Sequence, residues 1–293
     1  VTYNRCALLQ RCLDYIDAQS CRPSQVVVVN NASTDATVSM LESRKVRCVT
    51  QENLGSAGGW QRSIQIALDE GFDAVWLMDD DGFPSISALE NLKKALSHGI
   101  ACTSSIVVKE NAPDELVFPF PVLNASGLPV IFSKPRKLYS VHDLVAATED
   151  GTYPFAHFFN GALIDMSAVR AVGNVDSRFF MFGDEVDYFF RLRRVGKVCS
   201  VITARHMHPD VSQRPYTPAK VYYYVKNTLI LNGRYFDWPW VRHWLALVAV
   251  LLRTAQRNGF GEALSYVLGK RSPAFYSAIG RGLAGRLGKD FNG

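Results

Sequence analysis

The sequence predicts an α/β fold built around a mostly parallel sheet flanked by helices. Two observations carry this: short β-branched runs alternate with helical stretches of about 10 to 15 residues, and each run ends in polar or glycine-rich residues. Leu8, Leu9, Cys12 and Ile16 recur at helical spacing behind Asn4, a suitable N-cap, and Pro23 closes that helix ahead of a strand from Val26 to Val29. A helix from Asp35, a strand from Val46 to Thr50, a helix from Trp60 to Leu68 and a strand from Ala74 to Met78 continue the alternation. Prolines at 113, 119, 121, 129 and 135 then predict an irregular connection, with order resuming from Phe158 to Arg194. From Pro218 the pattern is helical, through Tyr222, Val225 and Leu229 and then Trp240, Trp244, Leu247, Val248, Leu251 and Leu252. Residues 1–215 are thus expected to form the α/β domain and 216–293 a helical appendage. The opening Val1-Thr2-Tyr3-Asn4 reads as the end of a strand, so further residues are expected ahead of it.

The composition, 48% hydrophobic and 20% charged over 293 residues, excludes a disordered or fibrous chain. Six cysteines, at 6, 12, 21, 48, 102 and 199, include no C-x-x-C pair and read neither as a disulfide framework nor as a zinc site, which favours a reducing compartment. The longest apolar run, Trp244 to Leu252, covers about half of the ~20 residues of a spanning helix. No secretory signal is visible. The formal charge of +5 is concentrated, since residues 220–293 hold eleven Lys/Arg against Asp237, Glu262 and Asp290. Such a basic, tryptophan-bearing region suits an anionic membrane surface or nucleic acid, or is simply a solvated helical face.

In open α/β sheets, ligands bind beyond the carboxyl ends of the strands. Four such ends occur here: Thr2-Tyr3-Asn4, Asn30 to Asp35, Asn53 to Gly59, and Asp79-Asp80-Asp81-Gly82. Three adjacent carboxylates repel one another unless a cation joins them. Mg²⁺ and Mn²⁺ take oxygen ligands and are commonly held by one or two carboxylates plus substrate phosphates, so Asp79 and Asp81 suit a metal-diphosphate clamp. A solvated acidic loop would carry the same residues. Asn30 to Asp35 reads either as a well-made turn with a helix N-cap or, from its position, as a reader of a nucleobase edge or ribose diol. Gly55-Ser56-Ala57-Gly58-Gly59 permits close backbone approach to a phosphate.

A second acidic cluster, Gly183-Asp184-Glu185-Val186-Asp187, lies between Phe179-Phe180-Met181-Phe182 and an arginine-rich helix. Its carboxylates either complement the helix dipole or, raised in pKa by aromatic surroundings, serve as a general base. His206 and His208 are structural or complete a metal shell.

Val1-Thr2-Tyr3-Asn4-Arg5, Asn30-Asn31-Ala32-Ser33-Thr34-Asp35, Asn53-Leu54-Gly55, Trp76-Leu77-Met78-Asp79-Asp80-Asp81 and Gly183-Asp184-Glu185-Val186-Asp187, in this order, resemble the family 2 glycosyltransferases of the GT-A fold. The resemblance covers residues 1–210, and Tyr222 to Asn227 looks like the tail helix of bacterial members. It implies an inverting transferase that binds a nucleoside diphosphate sugar, above all a UDP-sugar, with Mn²⁺ or Mg²⁺. On that resemblance Thr2, Tyr3, Asn4, Asn31 and Asp35 would hold the nucleoside, with Asn53, Gly58, Gly59, Asp79 and Asp80 along the rest of the donor. Asp81 and Asp79, with His208 or His206, would bind the metal, and Glu185 would be the base with Asp184 its rival. Phe159, Asn160 and Gly161 would face the acceptor. The family usually has aspartate where Asn30 or Asn31 stands and Glu-Asp where Asp184-Glu185 stands, which leaves the nucleobase and the choice of base open.

The aromatic-Leu-Met-Asp-Asp-Asp form and the Asn-Leu-Gly-x-Ala-Gly-Gly segment look most like galactofuranosyltransferases, with rhamnosyltransferases of polysaccharide assembly next. The implied reaction moves galactofuranose from UDP-galactofuranose to a hydroxyl of a lipid-linked or polysaccharide glycan, or rhamnose from dTDP-rhamnose. The basic tail fits a monotopic contact at the cytoplasmic face of the inner membrane, or an oligomer contact, with no nucleic-acid partner. Outside the family, Asp79-x-Asp81-Gly82 also resembles the nucleophile motif of haloacid-dehalogenase-type phosphatases, although three strand units precede Asp79 and Phe83-Pro84 follows it. A non-catalytic sugar-nucleotide-binding protein would need neither Glu185 nor a metal.

Overall fold

The computed structural model describes residues 1–148, 150–212 and 214–291. The chain forms two compact units, Val1–Val175 with Tyr188–Asp210, and Asp176–Asp187 with Val211–Gly293.

In the first unit the expected alternation runs as α1 (Cys6–Asp17), β1 (Val27–Asn30), α2 (Thr37–Ser43), β2 (Arg47–Thr50), α3 (Gly55–Asp69) and β3 (Ala74–Met78). The apolar stripe of α1, Leu9, Cys12, Leu13 and Ile16, packs with Val28 and Leu41, as an amphipathic helix against a β-branched strand should. β1 and β2 pair in parallel, and Thr2 bridges to Asn30 beside them.

The chain continues through β4 (Phe83–Pro84), α4 (Ala88–Ala95), β5 (Ile100–Lys109), β6 (Ala112–Pro121), β7 (Lys137–Ser140), α5 (Val141–Ala146), β8 (Thr152–Tyr153), β9 (Asn160–Asp165) and α6 (Met166–Val172). Helix α7 (Asp184–Leu192) begins in the second unit and ends in the first, where β10 (Lys197–His208) completes the large sheet. Its order is β3-β9-β5-β10-β4, with β6 on β5, β7 on β6 and β8 on β10.

The α/β class stands, but this sheet is mixed where a mostly parallel one was expected. β5 and β10 pair in parallel, whereas β9 is antiparallel to both its neighbours and β4 is antiparallel to β10. The reason is the return path of the chain: β9 comes back from the β6–β8 excursion and slots reversed between β3 and β5, and the short β4 lies reversed beside β10.

Three local expectations also change. The proline-rich stretch past residue 110 is a β6–β7 ribbon with α5, and Pro113, Pro119 and Pro121 lie in β6, whose ladders with β5 and β7 are interrupted by register shifts. Phe120 and Leu144 are fully buried there. Asn4 does not cap α1; the Asp35 carboxylate does, accepting from Cys6 N at 3.0 Å, while Asn4 Oδ1 accepts from Thr34 N at 2.7 Å. Helix α3 starts at Gly55, not near Trp60, so the glycine cluster lies inside it.

The second unit is helical, as expected: α8 (Pro218–Tyr235), α9 (Pro239–Asn258), α10 (Phe260–Leu268) and α11 (Ser272–Leu283). The Thr217 hydroxyl caps α8 by accepting from Lys220 N at 3.3 Å, with Pro218 pre-set for the first turn. Tyr222, Leu229, Val250, Tyr266 and Phe275 form the core. Lys226, fully buried, donates to Gly288 O at 2.7 Å and Asp290 at 2.6 Å, and so ties the end of the chain to α8. Among the described residues no helix is long and apolar enough to cross a membrane.

Candidate active site

The first unit gathers its polar chemistry at the end of β3. Asp80 and Asp81 are both buried, so their charges need partners in place. Thr2 Oγ1 donates to Asp80 Oδ2 at 2.7 Å, and Arg5 Nη1 donates to Asp80 Oδ1 at 3.0 Å and to Asp81 Oδ2 at 2.9 Å. Burial works against the Arg5 charge, but Asp80 and Asp81 outweigh it and raise the guanidinium pKa. Asp79 has no such clamp: burial first, and Asp81 next, push its carboxyl up to about 7. Arg5 is the residue that the sequence reading did not single out. Its signal was its place directly behind the first strand end, where a cation could reach carboxylates at another strand end on the same rim.

The other oxygen of Asp81 meets β10. His208 Nε2 lies 2.9 Å from Asp81 Oδ1, and its Nδ1 lies 2.7 Å from Pro209 O. If Nδ1 carries the proton and donates to that carbonyl, Nε2 turns a lone pair on a carboxylate oxygen, an arrangement that only a second proton or a cation relieves. Among the described residues no three His, Cys, Asp or Glu side chains gather into a ready metal cage. A carboxylate–imidazole pair nevertheless fits Mn²⁺ or Mg²⁺, whose remaining ligands are ordinarily water and substrate phosphate. His206 stands differently. It is fully buried with both ring nitrogens lacking a partner, burial holds its pKa down at about 3, and its ring packs so closely on Gly82 that any side chain there would strike Nε2.

The residues expected at the nucleoside mostly build the loops themselves. Asn31 donates to Gly55 O at 3.1 Å and accepts from Gln51 at 2.8 Å; Asp35 accepts from Thr37 as well as from Cys6; Asn53 Oδ1 accepts from Gly55 N at 3.1 Å. Tyr3 is exposed. Gly58 and Gly59 are explained by packing, since a Cβ would strike Leu54 in the first case and Val1 in the second. Phe159 and Asn160 do come to the triplet: Asp79 N donates to Phe159 O at 2.8 Å, Asn160 pairs with Met78, and Phe159 stacks on Trp60 at 4.4 Å. Asn160 Oδ1 is buried without a partner, and Gly161 backs onto Ser105. A cavity of about 570 Å³ between β1 and β3 reaches Asp79 and Asp80, and its walls include Val26–Val28 and Ala74–Leu77.

In the second unit, Asp184, Glu185 and Asp187 fill the first turn of α7, where carboxylates complement the helix dipole. Asp184 is buried, and that burial drives its carboxyl up to about 7 against the pull of its own and Glu185's backbone amides. Glu185 is exposed. Asp187 is buried and accepts from Tyr235 Oη at 2.7 Å and from Arg234 at 3.4 Å.

The family described as Glycosyl transferase family 2 matches residues 1–119. The chain is 33% identical over 217 residues to galactofuranosyltransferase GlfT1 of Mycolicibacterium smegmatis, covering 71% of this chain and 69% of that one. In structure it matches GalNAc-T7, solved with UDP, GalNAc and Mn²⁺, with a TM-score of 0.59 at 12% identity over 92% of this chain, which spans 55% of that one. It matches mannosyltransferase PcManGT from Pyrobaculum calidifontis, in complex with GDP-Man and Mn²⁺, with a TM-score of 0.52 at 17% identity, over 97% and 78% of the two chains. The fold is that of the GT-A glycosyltransferases. The chain belongs to glycosyltransferase family 2 and is similar there to galactofuranosyltransferases, which removes the phosphatase resemblance.

Burial of Asp184 has a consequence for stability. Its folded pKa, about 7, lies above the unfolded value, so the folded state loses stability as pH rises from about 4 to about 7. Asp184→Asn should therefore unfold at higher denaturant than the parent at pH 8, by up to roughly 4 kcal/mol, with the difference closing toward pH 4. Parallel pH profiles for the two proteins would contradict the assignment.

Proposed function

We propose that this protein is an inverting, metal-dependent transferase that moves a sugar, galactofuranose from UDP-galactofuranose, to a hydroxyl of a lipid-linked or polysaccharide glycan. The observation that carries the reading is the Asp81–His208 pair, held on its other side by Arg5, at the carboxyl end of β3. The galactofuranose donor rests on the likeness to GlfT1.

In this reading Asp81 and His208 hold Mn²⁺ or Mg²⁺, which when bound stabilises the charge on the departing diphosphate. Thr2 and Arg5 fix Asp80 and Asp81 so that their oxygens need not reorganise as that charge grows. Asp79, with Asp80, lies along the donor, and Phe159, Asn160 and Gly161, beside the triplet, border the acceptor. Glu185 takes the proton from the acceptor hydroxyl, whose oxygen then attacks the anomeric carbon from the face opposite the leaving diphosphate, inverting it. Its exposure favours Glu185 over Asp184, because a substrate hydroxyl has to reach the base.

A panel of nucleoside diphosphate sugars, assayed with and without Mn²⁺, tests this first. Release of UDP that needs both metal and acceptor supports it; turnover of dTDP-rhamnose alone replaces the donor; no turnover with any donor sinks the enzyme reading. Glu185→Gln should keep donor affinity and lose about 10²- to 10⁴-fold in kcat, and a fully active variant removes Glu185 from the role of base.

We also infer that the second unit rests on an anionic lipid surface, at the cytoplasmic face of the inner membrane, where a lipid-linked acceptor would lie. Trp240, Trp244, Val248 and Leu252 repeat every fourth residue along α9 and are 69, 69, 50 and 59% exposed. The acidic residues of the second unit from α8 onward are each paired internally: Asp237 with Arg242, Glu262 with Arg271, and Asp290 with Lys226 and Arg281. The remaining charge is cationic, and an apolar face with tryptophans and a basic border suits the bilayer interface. The double variant Trp240→Ser, Trp244→Ser should sediment with anionic liposomes at least about tenfold less than the parent, with UDP release from soluble donor unchanged. Equal sedimentation contradicts the surface, and loss of a dimer in the variant would assign the face to a second copy.

A further inference from the structure

The acidic turn at the start of α7 is reached through a loop with left-handed backbone at three positions. Phe180 and Phe182 have φ of 62° and 61°, and Gly183 has φ of 90°. Bulky aromatic residues avoid this region because Cβ crowds the carbonyl, so two of them in one short loop need an external restraint. Asn227, fully buried in α8, provides one. Its Nδ2 lies 3.0 Å from Phe179 O, 2.9 Å from Met181 O and 2.8 Å from Phe182 O. An amide nitrogen has two protons, so these carbonyls share them, and their number fixes the path of the loop more tightly than a single bond would. Gly183 fits the same contact: a Cβ there would stand 3.2 Å from Asn227 Cβ and 3.0 Å from Leu231 Cδ1. The next turns of α8 hold the far side of the cluster through Arg234 and Tyr235 on Asp187. One helix face, 227 to 235, therefore restrains the backbone before Asp184 and the carboxylate after Glu185.

We propose that Asn227 is a positioning residue for the transfer reaction: by clamping the carbonyls of residues 179, 181 and 182 it sets the conformation in which Asp184 and Glu185 are presented. The inference rests on the reading of that cluster as the source of the base. Nothing in it involves the donor, whose groups lie in the first unit. Loss of the clamp should therefore separate turnover from donor binding, which general unfolding would not do.

The test is Asn227→Ala in the full chain, checked for fold by circular dichroism and read in two ways. Hydrogen–deuterium exchange of residues 179–187 should rise while exchange in β3 and β10 stays at parental rates. Turnover should fall about 10- to 100-fold with KM for the donor within twofold of the parent, as expected when a reacting group is misplaced by about an ångström. Unchanged exchange in 179–187 overturns the clamp whatever the activity. Faster exchange with unchanged kcat, while Glu185→Gln or Asp184→Asn lowers it, overturns the positioning role. If none of the three variants lowers kcat, the base reading fails and takes the positioning role with it. Should Asn227→Ala not fold, Gly183→Ala disturbs the same loop from its other side, with the same pair of effects expected and the same outcomes against them.

Discussion

Three consecutive carboxylates at the end of β3, two of them buried, are the constraint from which the rest of the first unit follows. Two unit charges about 4 Å apart repel by about 4 kcal/mol at the effective dielectric of a protein surface, so Asp79, Asp80 and Asp81 cannot all stay charged and unpartnered. The molecule answers with neighbours from two directions. The strand end before α1 brings Thr2 and Arg5, β10 brings His208, and Asp79 is left with its carboxyl raised. Each answer depends on the sheet: Thr2 is in place because it bridges to Asn30, and His208 because β10 pairs with β5 along its length. Two structures of similar fold were solved with Mn²⁺, one with UDP and the other with GDP-Man; under the proposed function the electron-rich Asp81–His208 pair is where such a cation would be held.

The second acidic cluster meets the same physical problem at the start of α7. Its carboxylates sit at a helix start, where peptide dipoles favour negative charge, and Asp187 is pinned by Tyr235 and Arg234. Asp184 remains buried with a raised pKa, an environment that costs stability and supplies a group titrating near neutrality. Active sites commonly combine such a cost with a restraint that holds the strained segment in place, and the Asn227 amide under Phe180 and Phe182 is a restraint of that form.

Much of this was legible in sequence because it rests on local pattern. The Val27-Val28-Val29 run, the amphipathic α1 and the polar stop at Asp79 define strands and helices within a few residues, and the helical end of the chain follows from its apolar periodicity. What was not legible depends on partners distant in sequence. The cap of α1 is Asp35, which no reading of Asn4 reveals. Gly58 and Gly59 look like a phosphate loop but are small because Leu54 and Val1 lie against them. The reversed insertion of β9 between β3 and β5 is set by the return path of the chain, not by its own residues. Arg5 and Asn227 act wholly through space.

The central claim is that Asp81 and His208 together hold a divalent cation beneath the donor diphosphate. Calorimetric titration of UDP into the parent and into His208→Ala, each with and without Mn²⁺, tests it most directly. The account predicts that Mn²⁺ tightens UDP binding to the parent and has no such effect on the variant. An undiminished Mn²⁺ effect in folded His208→Ala would contradict it.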